Sequence, residues 1–194
     1  ALYLSAAVMA FEAARRWQWP EVKGLLVFTW VFPILELLVV LAHQKSIDPM
    51  SELVTLYVGT LCIAALAGVI GLGDWLRVRP TGRGIEQFMP WWLRLAALVF
   101  TLVVGALGVY ALGGVPRGGQ VWPVVLQPLA VGAFGAFYLA IALAVFTLAW
   151  ERNVDAIVAF GQVGLVAIGL ILIPALVFVD RWNFVAKPLG LVYH

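Results

Sequence analysis

The segment VFPILELLVV sets one carboxylate, Glu36, inside an otherwise apolar run, about three residues or roughly 4.5 Å from its middle. A charged side chain in hydrocarbon costs at least about 2.5 kcal/mol on insertion scales, so Glu36 must face protein or carry a proton. Two readings follow. In the functional one, Glu36 binds a proton or cation, or contacts a bound head group. In the structural one, a protonated Glu36 bonds to a neighbouring helix, for example near the Thr29 carbonyl that Pro33 deprives of its donor. A relay needs a second polar member, and the apolar runs supply only Gln162 and a few threonines, which weakens a transport reading.

Other residues with chemical capacity are sparse. His43 follows the run that holds Glu36 and is the one candidate ligand for a haem or a chlorophyll-type pigment. It has no second histidine to pair with, so an ordinary interfacial histidine is the competing reading. The stretch GDWLRVRPTGRGIEQFMPWW carries Arg77, Arg79 and Arg83 among glycines and prolines. Arginines at that level attract anionic lipid head groups or an acidic partner. The stretch lacks the ending of a phosphate-binding loop. Glu12 is spaced to pair with Arg15 or Arg16 across one helical turn. Paired carboxylates, metal-ligand clusters and an activated serine are all missing from the pattern.

The elements that must position these residues are set by solvent. Hydrophobic residues make up 64% of the 194 positions, charged residues 11%, and the mean hydropathy is +1.03. A soluble domain keeps roughly a quarter of its residues charged to maintain a wet surface. This chain therefore belongs in a bilayer. A net charge of +2 argues against nucleic acid as a partner, and the lone Cys62 excludes an internal disulfide.

A hydrocarbon core of ~30 Å takes about 20 apolar residues of helix. Runs 24–42, 53–73, 95–113, 129–150 and 156–179 meet that length, and 1–14 reads as part of a sixth span. They are apolar on every side, which excludes the alternation of barrel strands. Backbone groups in lipid must bond within their own segment, so the runs are helices. Trp30 is the one tryptophan inside a run; the others fall at run ends, where indole rings favour the head-group zone.

Basic residues assign the sides. Arg15, Arg16, Lys23, Arg77, Arg79, Arg83, Arg94 and Arg152 fall on one side, and the remaining four of the 12 on the other. The positive-inside rule then makes loops 15–23, 74–94 and 150–155 cytoplasmic and leaves the amino end outside.

Two stretches match in register. Tyr3, Leu4, Ala7, Phe11 and Ala14 align with Tyr138, Leu139, Ala142, Phe146 and Ala149, and Glu36 then aligns with Ile171. Four spans separate the copies, so the repeat would be parallel, about an axis along the membrane normal. On that reading 1–113 is a first half, 114–128 an outer connection and 129–194 the start of a second half. Each half would be a four-helix unit, and the natural protein would be longer at both ends.

Close packing in lipid relies on small residues. Gly132, Ala136, Ala140 and Ala144 form one such face, with Ala64/Gly68, Ala67/Gly71 and Thr101/Gly105 on neighbouring runs. These faces serve either packing within the bundle or docking of another subunit. Pro33 and Pro174 sit inside runs and would kink them.

The sequence thus predicts an all-α, polytopic membrane bundle of about six spans. The function it favours is a non-catalytic subunit or scaffold of a larger membrane assembly, contacting lipids, partner helices or a hydrophobic cofactor. A small-molecule or ion transporter using Glu36 is the alternative. An enzyme acting on a lipid-soluble substrate is the third.

Overall fold

Helices form wherever the apolar runs require them, and several continue past the run into the interface. The computed structural model describes residues 2–16, 22–44, 51–78, 90–113, 127–150 and 154–177. Among these it contains α1 (Leu2–Arg16), α2 (Lys23–Ala42), α3 (Glu52–Val78), α4 (Trp91–Gly113), α5 (Pro128–Ala149) and α6 (Val154–Val177), and no strand. Helices α2 to α6 are each long and apolar enough to cross a membrane. α1 has 15 residues, about 22 Å, and is too short to cross alone.

The helix ends differ from the run ends in a consistent direction. α3 extends beyond the expected 73 through Asp74, Trp75 and Arg77, and α4 starts at Trp91 rather than 95. Hydropathy falls as soon as charges appear, whereas a helix continues as long as its backbone bonds close. The polar stretch expected over 74–94 is shortened from both sides, and residues 79–89 lie outside the described residues. Pro90 precedes α4, and its carbonyl accepts from the Leu93 and Arg94 amides at 3.0 and 3.2 Å. Pro128 opens α5 at a position where its missing N–H has no partner to lose. Pro33 and Pro174 both lie inside continuous helices.

α2 and α5 form the centre. α2 packs against α5, α3 and α1, and less extensively against α6; α4 lies along α5, and α6 along α1. The core between α2 and α5 is aromatic. Phe28 stacks on Phe32 at 5.6 Å, and Phe137 meets their edges at 5.4 and 5.8 Å. Such pairs contribute about 0.5–1.5 kcal/mol beyond area burial.

The small-residue faces are used between helices of this chain. Ala136, Ala140 and Ala144 are fully buried, and a Cβ on Gly132 would come 2.5 Å from Val39 Cγ1 of α2. Gly108 and Gly135 bring the backbones of α4 and α5 together, each with the other's carbonyl 3.0–3.1 Å from where its Cβ would be. Trp30 is the tryptophan inside an apolar run, and α3 makes room for it. Gly68 admits its carbonyl and Gly71 its ring, both at 2.5 Å from a would-be Cβ.

Candidate intramembrane polar site

Glu36 lies six residues before the end of α2, about 9 Å along the axis, and is 1% exposed. Tyr57 lies in the second turn of α3, and Tyr3 in the first turn of α1. α2 is antiparallel to its chain neighbours, so these three places fall at one end of the bundle. The Tyr3 and Tyr57 hydroxyls each stand 2.8 Å from Glu36 Oε1 and 2.9 Å from each other. The two rings meet edge to face at 5.8 Å, and Tyr3 also packs on Phe32 at 6.3 Å. Glu36 Oε2 is buried and has no hydrogen-bond partner among the described residues. The cluster ties α1 to α3 across α2. Tyr3 remains 50% exposed, so the tie lies at a seam of the bundle.

One expectation is corrected by this geometry. Glu36 does not bond near the Thr29 carbonyl, which lies seven residues away, about 10 Å along the same helix; its partners come from α1 and α3. Gln162 and the threonines do not accompany it either. Gln162 lies on an exposed face of α6. Thr29, Thr60 and Thr147 donate to carbonyls of their own helices at 3.0, 2.8 and 2.7 Å, and Thr101 reaches Ala142 of α5 at 3.4 Å. Threonine hydroxyls commonly satisfy themselves in this way.

The tyrosines were the missed members. Their signal was weak but present: a carboxyl within a span needs donors, and Tyr3 and Tyr57 both stand in the outermost turns of runs at the end nearer Glu36.

The other candidates sit apart from this cluster. His43 terminates α2; its amide bonds to the Val39 and Val40 carbonyls at 3.1 Å, and its Nδ1 donates to the Val39 carbonyl at 2.9 Å. Only Nε2 is left to meet a ligand. Arg77 is exposed in the last turn of α3, where a cation complements the helix dipole. Arg79 and Arg83 lie outside the described residues. Glu12 and Arg15 form the surface pair expected of them, at 2.9 Å, and the hydrogen bond and charge of Glu12 raise the guanidinium's affinity for its proton. An exposed pair of this kind contributes little to stability.

Two further polar groups were not singled out in the sequence. Ser5 Oγ, fully buried, donates to the Ala167 carbonyl at 3.2 Å and ties α1 to α6. Arg94 lies 5.7 Å over the Trp150 ring, joining the ends of α4 and α5, and its Nε is buried without a hydrogen-bond partner among the described residues. Among the described residues no three His, Cys, Asp or Glu side chains gather as metal ligands.

No protein-family model matches the chain, and no curated protein or solved structure is significantly similar to it.

Proposed function

We propose that this chain is a non-catalytic integral membrane subunit that holds neighbouring helices of a larger assembly. The observation that carries the reading is the outer face of α6. One side of α6 buries Ala159, Val163 and Ala167. Gly161 lies on the opposite, exposed side, with Gly164 and Gly169 on its two flanks, and a Cβ at any of these would meet nothing within 4 Å. Glycine inside a helix is disfavoured by about 1 kcal/mol relative to alanine in water. In lipid it is favoured where another backbone must come close. The glycines between α4 and α5 have such a neighbour; those of α6 have none among the described residues, so a helix of another subunit is the natural occupant.

The proposal includes the orientation read from the basic residues, with loops 15–23, 74–94 and 150–155 cytoplasmic, and the parallel repeat. Support for the repeat comes from cross-pairing: α1 packs on α6 and α2 on α5, as a two-fold exchange of α1–α2 with α5–α6 requires. The exchange is incomplete, because α1 packs on α2 while α5 and α6 make little mutual contact.

The test is extraction in mild detergent followed by native mass spectrometry. A stoichiometric partner bound to the wild type and lost from Gly161→Leu/Gly164→Leu, with the chain itself still folded, supports the subunit reading. Wild type and variant both recovered as the chain alone contradict it.

A second reading, transport of an ion or small molecule, is favoured by the unpartnered Glu36 Oε2 beside two phenols. Abolished uptake in Glu36→Gln with unchanged abundance would favour that reading over the first.

A further inference from the structure

Three oxygens stand at mutual hydrogen-bonding distance: Glu36 Oε1, Tyr3 Oη and Tyr57 Oη, separated by 2.8, 2.8 and 2.9 Å. Each hydrogen bond takes one proton, and the two phenols supply two. If Glu36 is ionised, two protons must serve three contacts. One pair of oxygens then faces with no proton between them, and Oε2 bears charge in a buried site without a donor. If the carboxyl is neutral with its proton on Oε1, a third proton is available. Oε1–H donates to Tyr3 Oη, Tyr3 O–H to Tyr57 Oη, and Tyr57 O–H back to Oε1, or the whole ring runs in the opposite sense. Every oxygen then donates once and accepts once. Oε2 becomes a neutral carbonyl oxygen, whose missing bond is far less costly than a bare buried charge.

Among the described residues no cation stands beside Glu36. α2 itself carries Lys23, about 20 Å along the axis, and ends at His43, about 10 Å away with Nδ1 turned onto Val39. On α1, Glu12 and Arg15 lie three turns or so from Tyr3 and bond to each other, and Arg16 stands one residue further along. α3 offers Tyr57 and the exposed Glu52, with Cys62, Asp74 and Arg77 further along. α5 holds Tyr138 and no acidic, basic or histidine residue, and α6 holds Asp155 at its far end.

We infer that Glu36, Tyr3 and Tyr57 form a proton-binding site, a closed ring of three hydrogen bonds in which one bound proton fastens α1 and α3 to α2. The ligand is the proton itself, and the site functions as a clasp on the bundle whether or not a partner occupies α6.

Difference infrared spectroscopy of the purified chain in lipid nanodiscs at neutral pH tests it. The wild type is expected to show the carbonyl band of a hydrogen-bonded protonated carboxyl, and Glu36→Gln to lose that band. Tyr3→Phe and Tyr57→Phe each open the ring and should shift it. A wild-type spectrum with carboxylate bands alone overturns the inference. So does a protonated-carboxyl band that neither tyrosine variant moves. Should Glu36→Gln fail to fold, the two tyrosine variants still decide between these outcomes.

Discussion

Trp30 of α2 is seated on Gly71 of α3: a Cβ at position 71 would stand 2.5 Å from both the indole Nε1 and Cε2. One turn away, the Trp30 carbonyl stands equally close to where a Cβ of Gly68 would be. The pair fixes the approach of α3 to α2 and therefore the height at which Tyr57 meets Glu36.

Substituting this seat should separate the helices. Gly68→Ala places a methyl against backbone, which cannot rotate away, and should destabilise the bundle by about 1–3 kcal/mol, as overpacking generally does. Gly59→Ala, on the same helix with open space around it, should be neutral or slightly stabilising. Denaturant-induced unfolding in mixed micelles compares the two. Equal effects would contradict the packing described for α3.

The polar tie predicts non-additivity. Tyr3→Phe and Tyr57→Phe should each cost about 0.5–1.5 kcal/mol, the net worth of a typical hydrogen bond. Because the hydroxyls share one acceptor atom and touch each other, the double variant should cost less or more than the sum by at least about 0.5 kcal/mol. A double-mutant cycle on unfolding free energies reads this directly, and strict additivity would show that the three groups do not act together.

Docking of α1 rests on a different contact. Ser5→Ala removes the buried bond to the Ala167 carbonyl and should cost about 1 kcal/mol. Ser5→Leu should cost more, because the site is fully buried and the added volume must displace α6. Protease sensitivity after Arg16 in the two variants, compared with wild type, reports whether α1 has lifted off.

His43 yields a spectroscopic outcome. If a haem or pigment is held through Nε2, material purified from native membranes should absorb in the visible, and His43→Ala should lose that absorption. If His43 only closes the end of α2, the variant should instead show a stability loss of about 1 kcal/mol or less and no spectral change.

Much of the fold could be read from the chain, because lipid imposes a single constraint on length and apolarity. The five helices long and apolar enough to cross a membrane, α2 to α6, follow from it. Helix ends were harder. Asp74, Arg77 and Arg94 lower the hydropathy without breaking the helix, so α3 and α4 outrun their apolar segments. Glu36 stood out because a carboxyl in hydrocarbon is conspicuous. Its partners did not, because their meeting depends on which helices are neighbours and how each is rotated about its axis. Tyr3 stood out only as a match to Tyr138, and Tyr57 gave no more than its place near the end of a run. The same limit hid the use of Gly68 and Gly71, whose small size is legible but whose occupant, Trp30, lies on another helix. Ser5 carries no signal in the sequence that separates it from a packing residue.

The central proposal is that α6 presents its outer face to another subunit, and photo-crosslinking in native membranes tests it most directly. A crosslinking residue at Leu165 or Ile168, both exposed beside Gly161 and Gly164, would be compared with one at Leu102 on the exposed side of α4. The account expects a discrete protein adduct from α6, lost when Gly161 and Gly164 are replaced by leucine, and lipid adducts alone from Leu102. Equal yields of protein adduct from both helices, or none from α6, would contradict it.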